Sequence, residues 1–120
     1  IESKCFESMK NLKLINLFKN ELISLNKTQF EGLDNCLRNL DLGFNKLKSI
    51  SNETFANLKK LVNLKLNNNF LTSFDDLMLF NKIKCLRELN LDGNSFEKEF
   101  FDKFICLKRK YNLKIFHYIE

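Results

Sequence analysis

The 120-residue chain has no proline, no tryptophan, three glycines and one histidine. Stretches rich in Gly, Ser or Pro, which form flexible linkers and low-complexity tails, are absent from its sequence. Its apolar runs extend over a few residues, whereas a membrane-spanning helix needs about 20. The chain opens on Ile1 without the charged and apolar regions of a signal peptide, so we expect none within it. These absences favour one continuous domain over residues 1–120.

The sequence also lacks the convergent residue sets that catalysis and metal binding require. It has no glycine-rich phosphate loop, and its four cysteines do not form the CxxC pairs of zinc sites. The only histidine, His117, has no nucleophile motif beside it, and the acidic pair Asp75 and Asp76 precedes Leu77 as a helix cap would. We therefore expect no enzyme activity, no metal, no cofactor and no small-molecule substrate.

What the sequence does contain is an internal repeat. Leucine or isoleucine recurs at offsets of three and two, followed by asparagine three residues later and an apolar residue two after that. The four copies are Leu12, Ile15, Leu17, Asn20, Leu22; Leu37, Leu40, Leu42, Asn45, Leu47; Leu61, Leu64, Leu66, Asn69, Leu71; and Leu86, Leu89, Leu91, Asn94, Phe96. Their starts lie 25, 24 and 25 residues apart, which indicates one structural unit repeated along the chain.

The repeat has a simple physical interpretation. The alternating Leu-x-Leu is a short strand with one buried face, and the asparagine can satisfy backbone groups in the turn that leaves the strand. The pattern resembles the leucine-rich repeat family, whose signature is LxxLxLxxNxL, over nearly the whole chain. This resemblance implies an α/β solenoid: a right-handed β-α superhelix with a curved parallel sheet and an irregular or short helical convex side. It also implies that the asparagines form a buried ladder between repeats: Asn20, Asn45, Asn69 and Asn94.

The register divides the chain into a partial repeat over 1–11, full repeats over 12–36, 37–60 and 61–85, and a last repeat with a C-terminal cap over 86–120. Phe30 and Phe55 recur on the convex side, as in the subclass common in extracellular animal proteins. Ile1 falls within a repeat, so we expect upstream repeats or a partner chain to cover the N-terminal end. A minimal cap formed by residues 1–11 is the alternative.

The last repeat departs from the pattern in a way that predicts a cap. An apolar stripe with helical spacing follows its asparagine: Phe96, Phe100, Phe104, Leu107 and Tyr111. Residues 112–118, with Leu113 and Ile115 directed inward, could add a fifth strand.

The solvent face of the sheet is the predicted partner-binding surface. One column of residues between the buried leucines reads Asn16, Asp41, Lys65, Asn90, Lys114, and its neighbour reads Leu14, Asn39, Asn63, Glu88, Asn112. We expect Phe18, Phe44 and Phe116 beside them, where no repeat leucine requires an apolar residue. The predicted site is Asn16, Phe18, Asp41, Phe44, Lys65 and Asn90. Packing of Phe18 and Phe44 against neighbouring turns is the structural alternative.

Cysteines and sequons leave the compartment open. Cys85 and Cys106 are about one repeat apart, so a disulfide and a pair of buried free thiols are both possible. Sequons at Asn26 and Asn52 predict surface glycosylation, although a chain this rich in asparagine contains such motifs by chance.

Two functions fit these observations. The first is a non-catalytic module that binds a protein on its concave face, within a larger extracellular receptor or secreted protein. The second is a structural subunit of a large intracellular, cytoplasmic assembly, with Ile1 as its native start and a basic end that contacts nucleic acid. RNA binding through Lys108, Arg109 and Lys110 is a third hypothesis, which the interspersed acidic residues of that region disfavour.

Overall fold

The computed structural model describes residues 2–51, 53–72, 83–100, 102 and 114–116, with the backbone alone at 115 and 116. Five three-residue strands form one parallel sheet in sequence order. They are β1 (Leu14–Asn16), β2 (Asn39–Asp41), β3 (Asn63–Lys65), β4 (Glu88–Asn90) and β5 (Lys114–Phe116). Equivalent residues of successive repeats pair directly, as the sequence period predicts.

Each strand of the first four repeats buries its central residue and turns both neighbours towards solvent. Ile15, Leu40, Leu64 and Leu89 thereby join a single core with the other repeat leucines. Because neighbouring residues of a strand point to opposite faces, the Leu-x-Leu alternation alone decides which face is buried. Burial of one leucine side chain stabilises the fold by about 1.5–3 kcal/mol.

Aromatic rings fill the convex side of the core. Phe30 ends a short 3-10 helix (Lys27–Phe30) capped by the side chain of Asn26. Its ring lies 6.0 Å from that of Phe55, the equivalent residue of the next repeat. Leu25, Leu33, Leu58 and Ile83 are buried there too. The return half of each repeat therefore serves to close the core, which a three-residue strand cannot do alone.

The asparagine ladder is present where a repeat precedes the asparagine. Asn69 Oδ1 accepts a hydrogen bond from the Leu47 backbone, while its Nδ2 donates to the carbonyls of Leu42 and Leu66. Asn45 and Asn94 repeat this arrangement. Asn20 does not, because it is exposed and its Nδ2 donates only within its own repeat. The predicted burial is thus wrong for Asn20, which forms the end of the ladder.

The predicted partial repeat at the N-terminus packs on the convex side of the first full repeat. Lys4 donates a backbone hydrogen bond to Thr28, and Phe6 packs against the core. Gly32 has φ +93, and a Cβ there would lie 2.6 Å from the backbone of Glu7. The two segments are therefore in contact through their backbones at a position that only glycine accommodates.

The structure confirms the predicted fifth strand but corrects its register. β5 pairs with β4 so that Lys114 lies beside Glu88 and Phe116 beside Asn90. Lys114 therefore belongs to the column of Leu14 and Asn39, not to the predicted column of Asn16 and Asp41. The cap lacks the LxxLxLxxN spacing that fixes the register in the other repeats. The predicted position of Lys114 in the sheet was therefore wrong by two residues.

The start of the predicted cap helix is also present. Residues 98–100 are helical, and the rings of Phe96 and Phe100 stack at 4.8 Å. Other predictions concern residues outside the described residues: Asn52, Asp75, Asp76, Phe104, Cys106, Leu107, Lys108, Arg109, Lys110, Tyr111, Asn112, Leu113 and His117. In the described part of the chain, no helix is long and apolar enough to cross a membrane.

Candidate binding surface

The concave face of the sheet is a shallow polar depression. Its two columns of outward side chains run across the strands in register. The depression has a volume of about 330 Å³ and is lined mainly by strand residues of the first four repeats, among them Asn16, Asp41, Lys65 and Glu88. Asn63 Nδ2 donates a hydrogen bond of 2.6 Å to Asn39 Oδ1, which links two repeats across the floor. The face can therefore offer both donors and acceptors to a partner.

Three of the predicted binding residues also shape the turns that follow their strands. Asn16 Oδ1, Asp41 Oδ1 and Asn90 Oδ1 each accept a hydrogen bond from the backbone two residues later, at 2.9–3.1 Å. Such turns are typical of Asn and Asp, whose side chains replace a backbone acceptor. The second polar atom of each side chain is the one that can face a partner. Lys65 holds the same position without an acceptor oxygen.

The backbone adopts the left-handed region directly before each repeat asparagine. φ is 55 at Lys19, 54 at Phe44, 56 at Asn68 and 68 at Gly93. Asparagine and glycine tolerate this region well, whereas a bulky residue there is strained. The presence of Asn68 and Gly93 is a sequence signal for this feature, although the repeat pattern alone did not predict it. Phe44 is therefore an aromatic residue at a position that disfavours one.

Phe18, Lys19 and Phe44 form a cluster beside the depression, which we call the aromatic rim. The rings of Phe18 and Phe44 meet edge to face with centroids 5.1 Å apart. Lys19 Nζ lies 5.5 Å from the Phe18 centroid and 5.9 Å from that of Phe44, within range of cation–π attraction. The rings remain 38% and 43% exposed, so their mutual contact leaves much apolar surface facing water.

Comparison with known proteins identifies the repeat. The family model for leucine-rich repeats matches residues 35–96, more than half of the chain. The chain belongs to the leucine-rich repeat family. No curated protein matches it.

Solved leucine-rich repeat structures share the fold of this domain. A leucine-rich repeat protein of Leptospira interrogans superposes with a TM-score of 0.73 and 29% identity over 87% of this chain. The structure of the Toll–Spatzle complex of Drosophila superposes with a TM-score of 0.62 and 23% identity over 74% of this chain. This domain spans 25% of the first of those chains and 15% of the second. Leucine-rich repeat domains are generally protein-binding modules.

The structure brings the predicted site residues of this leucine-rich repeat domain onto one side of the molecule. Asn16, Asp41, Lys65 and Asn90 form one column, and Phe18 and Phe44 lie together where β1 and β2 end. Sequence reasoning missed Lys19, although its position between Phe18 and Asn20 was a signal. The two rings contact each other and remain exposed, and packing against neighbouring turns stays the structural alternative.

Residues suited to metal chemistry do not converge within the part of the chain that the structure describes. No group of three His, Cys, Asp or Glu side chains there could hold a metal ion. Cys5, Cys36 and Cys85 are free thiols. Cys106, which the sequence left open as either a disulfide partner of Cys85 or a free thiol, lies outside the described residues. Asn26 is exposed at the N-cap of the 3-10 helix, with its Oδ1 accepting from Thr28.

Proposed function

We propose that this domain is a non-catalytic module that binds a protein partner on its concave face and aromatic rim. Phe44 carries the proposal. A left-handed backbone costs a non-glycine residue about 1–2 kcal/mol, and the exposed 43% of Phe44 contributes no burial energy in return. The two following repeats hold Asn68 and Gly93 at this position, and these residue types tolerate the left-handed region better. Stability alone gives little preference for a phenylalanine there, so the ring of Phe44 serves another purpose.

The surroundings of Phe44 fit a binding role. Its edge-to-face contact with Phe18 is worth about 0.5–1.5 kcal/mol and offsets part of the strain. Phe18, however, stands where the later repeats have Gly43, Asn67 and Asp92, so the pair is peculiar to the first two repeats. An exposed aromatic pair next to a polar depression resembles the anchors that dominate protein interfaces, surrounded by hydrogen-bonding groups.

A capture experiment with repeat-matched variants tests the proposal. The wild-type domain, a Phe18→Ala/Phe44→Asn variant and a Phe70→Ala control are immobilised, and the proteins each retains from an extract of the source are quantified by mass spectrometry. Phe70 is also an exposed phenylalanine but lies outside the aromatic rim, so it controls for loss of an apolar ring. We expect Phe70→Ala to retain the wild-type set and the rim variant to lose it.

Equal retention by all three proteins would refute the aromatic rim as the binding site. Circular dichroism confirms that each variant is folded, so loss of retention reports on the surface. A direct affinity measurement with a retained protein then separates the rim from the concave face, because Lys65→Ala changes the sheet column without changing the rings. The proposal expects the rim variant and Lys65→Ala each to weaken binding, with the larger loss of affinity for the rim variant.

We also propose that the domain is part of a larger extracellular protein. The resemblance to the phenylalanine-containing subclass supports this setting, and the exposed side chain of Asn26 offers a glycan acceptor. Expression through the secretory pathway, followed by glycosidase treatment, should reduce the apparent mass of the wild type but not of an Asn26→Gln/Asn52→Gln variant. A product with identical mobility before and after treatment would contradict glycosylation and favour the cytoplasmic setting.

We further propose that another repeat or a partner chain covers the outer edge of β1. Leu14 is 59% exposed on this edge, and Leu12, Leu17 and Leu22 are only partly buried. Asn20 Oδ1 corresponds to the atom that, in Asn45, accepts a backbone hydrogen bond from the preceding repeat. A segment stacked on β1 would bury the leucines and extend the ladder by one step.

A further inference from the structure

A basic surface lies where the chain approaches the strands, at the end of the sheet opposite to the aromatic rim. We call it the leading edge and define it as the five residues before each of the first four strands: 9–13, 34–38, 58–62 and 83–87. Its basic side chains are all exposed: Lys10, Lys13, Arg38, Lys59, Lys60, Lys84 and Arg87. Lysine stands four residues before β1, β3 and β4, so the repeat itself aligns these charges.

The leading edge holds the positive charge of the whole domain. Against its seven basic residues it has one acidic residue, Asp34, which gives a net charge of +6 over 20 residues. The chain as a whole carries +5, so the remaining residues sum to −1. None of the seven makes an ion pair with another described residue. The four ion pairs of the described part lie elsewhere, which leaves this row of cations without a balancing row of anions.

The geometry concentrates these charges in a narrow row. Neighbouring strands lie about 4.8 Å apart, so four repeats place the row within about 15 Å. Arg87 Nη1 donates to the carbonyls of Lys84 and Leu86, which holds its guanidinium against its own turn. Like charges at this spacing repel each other and raise the local positive potential. This repulsion persists in the folded domain, and a bound anionic ligand would reduce it.

The backbone of the leading edge is already paired. The carbonyl of Lys13 accepts from Arg38 and Asn39, and the carbonyl of Arg38 accepts from Val62 and Asn63. A ligand therefore cannot add a strand by backbone pairing at these groups. It can be recognised by the side chains, through charge.

From these observations we propose that the leading edge binds an extended acidic segment of a protein. At about 3.3 Å per residue, a row of about 15 Å accommodates about five consecutive Asp or Glu residues. Single-stranded nucleic acid fits less well, because its recognition uses aromatic platforms and the 20 residues of the edge contain no Phe, Tyr or Trp. In the sequence, Lys110 precedes β5 by the same four residues, which extends the periodicity of charge to the last repeat.

This binding is independent of the proposed concave-face function, because the leading edge and the aromatic rim lie at opposite ends of the strands. An acidic segment at the edge could belong to the same partner or to a different one. Loss of one interaction leaves the residues of the other unchanged. The two proposals can therefore fail separately.

The test uses a fluorescein-labelled oligoglutamate of about ten residues, whose binding to the 120-residue chain is followed by fluorescence anisotropy at about 50 mM and about 150 mM NaCl. The edge variant is Lys59→Glu/Lys60→Glu. The matched control is Lys48→Glu/Lys98→Glu, which changes the net charge by the same amount at exposed residues outside the edge. Circular dichroism confirms that both fold.

We expect the edge variant to bind at least about tenfold more weakly than wild type and the control less than about threefold more weakly, with the difference shrinking at the higher salt concentration. Equal weakening in both variants would overturn the proposal, since binding would then follow net charge alone. Undetectable binding of oligoglutamate to wild type at the lower salt concentration would overturn it too. Tighter binding of an oligouridylate of equal charge would replace the acidic segment by a nucleic acid as the ligand class.

Discussion

Asn20 and Asn69 hold the same place in the repeat, yet their side chains make different contacts. Asn69 is 3% exposed and joins two repeats, with backbone partners on both sides. Asn20 is exposed and bonds only to the carbonyls of its own turn. The residue type therefore supplies the capacity for a ladder, and stacking of repeats supplies the partners. In a solenoid, the energetic weight of a consensus residue depends on its neighbours.

The largest effect should come from removing the ladder at its centre. Asn69→Ala leaves the buried Leu47 amide without its partner, while the carbonyls of Leu42 and Leu66 each lose one of two bonds and keep those from Asn45 and Asn94. The unsatisfied amide costs about 1–3 kcal/mol and each lost carbonyl bond about 0.5–1.5 kcal/mol, so we expect the free energy of unfolding to fall by about 3 kcal/mol after partial relaxation. Urea denaturation followed by circular dichroism measures it. A loss below about 1 kcal/mol would show that water replaces the amide without penalty.

The contrast between these asparagines also shows what the sequence can predict. The period of 24–25 residues fixes the register of β1 to β4 because a one-residue slip would expose every repeat leucine. The same reasoning cannot tell Asn20 from Asn69, since burial depends on the stack. It failed at Lys114, where the consensus ends and no leucine spacing sets the register.

The candidate site was predictable to a similar extent. Strand alternation gave the column of Asn16, Asp41 and Lys65, because side chains one residue away from a buried leucine must face solvent. Phe18 and Phe44 were expected beside these columns in adjacent repeats, and the structure adds their edge-to-face contact. The position of Lys19 over both rings was not predicted, because a lysine has many rotamers. The leading edge was not recognised from the sequence alone, because its basic residues line up only once the strand boundaries are known.

The second-largest loss of stability should come from weakening the contact between the N-terminal segment and the first repeat. Gly32→Ala introduces a Cβ against the Glu7 backbone and places alanine at φ +93, so one of the two backbones must move. We expect a loss of about 2 kcal/mol, concentrated in the contact of residues 3–9 with the first repeat. Hydrogen exchange should show faster exchange at the Lys4 amide, which donates to Thr28, while Leu66 is unaffected. Uniform loss of protection along the chain would contradict local detachment.

Among the repeat asparagines, substitution of Asn20 at the end of the ladder should lower the free energy of unfolding least. Asn20→Ala removes two hydrogen bonds that are accessible to water, so we expect a loss of less than about 1 kcal/mol in the same urea titration. The ratio of the losses in unfolding free energy between Asn69→Ala and Asn20→Ala measures how far the contribution of the asparagine depends on a neighbouring repeat. Similar losses at the two positions would mean that the turn within a repeat, and not the bond between repeats, carries the energy of the asparagine.

The smallest change in stability should come from the aromatic rim. Phe44→Asn places at φ 54 the residue type that the next repeat holds in Asn68, which relieves backbone strain but removes the ring contact with Phe18. Strain of about 1–2 kcal/mol is set against about 0.5–1.5 kcal/mol of aromatic contact and about 1 kcal/mol from the buried part of the ring, so we expect a loss of only about 0.5 kcal/mol. Phe44→Ala provides the control, since it loses the ring while keeping a Cβ in the left-handed region, and it should be less stable than Phe44→Asn. A loss above about 2 kcal/mol would assign the ring to the folded core. A protein of nearly wild-type stability that no longer retains the partner would assign it to binding.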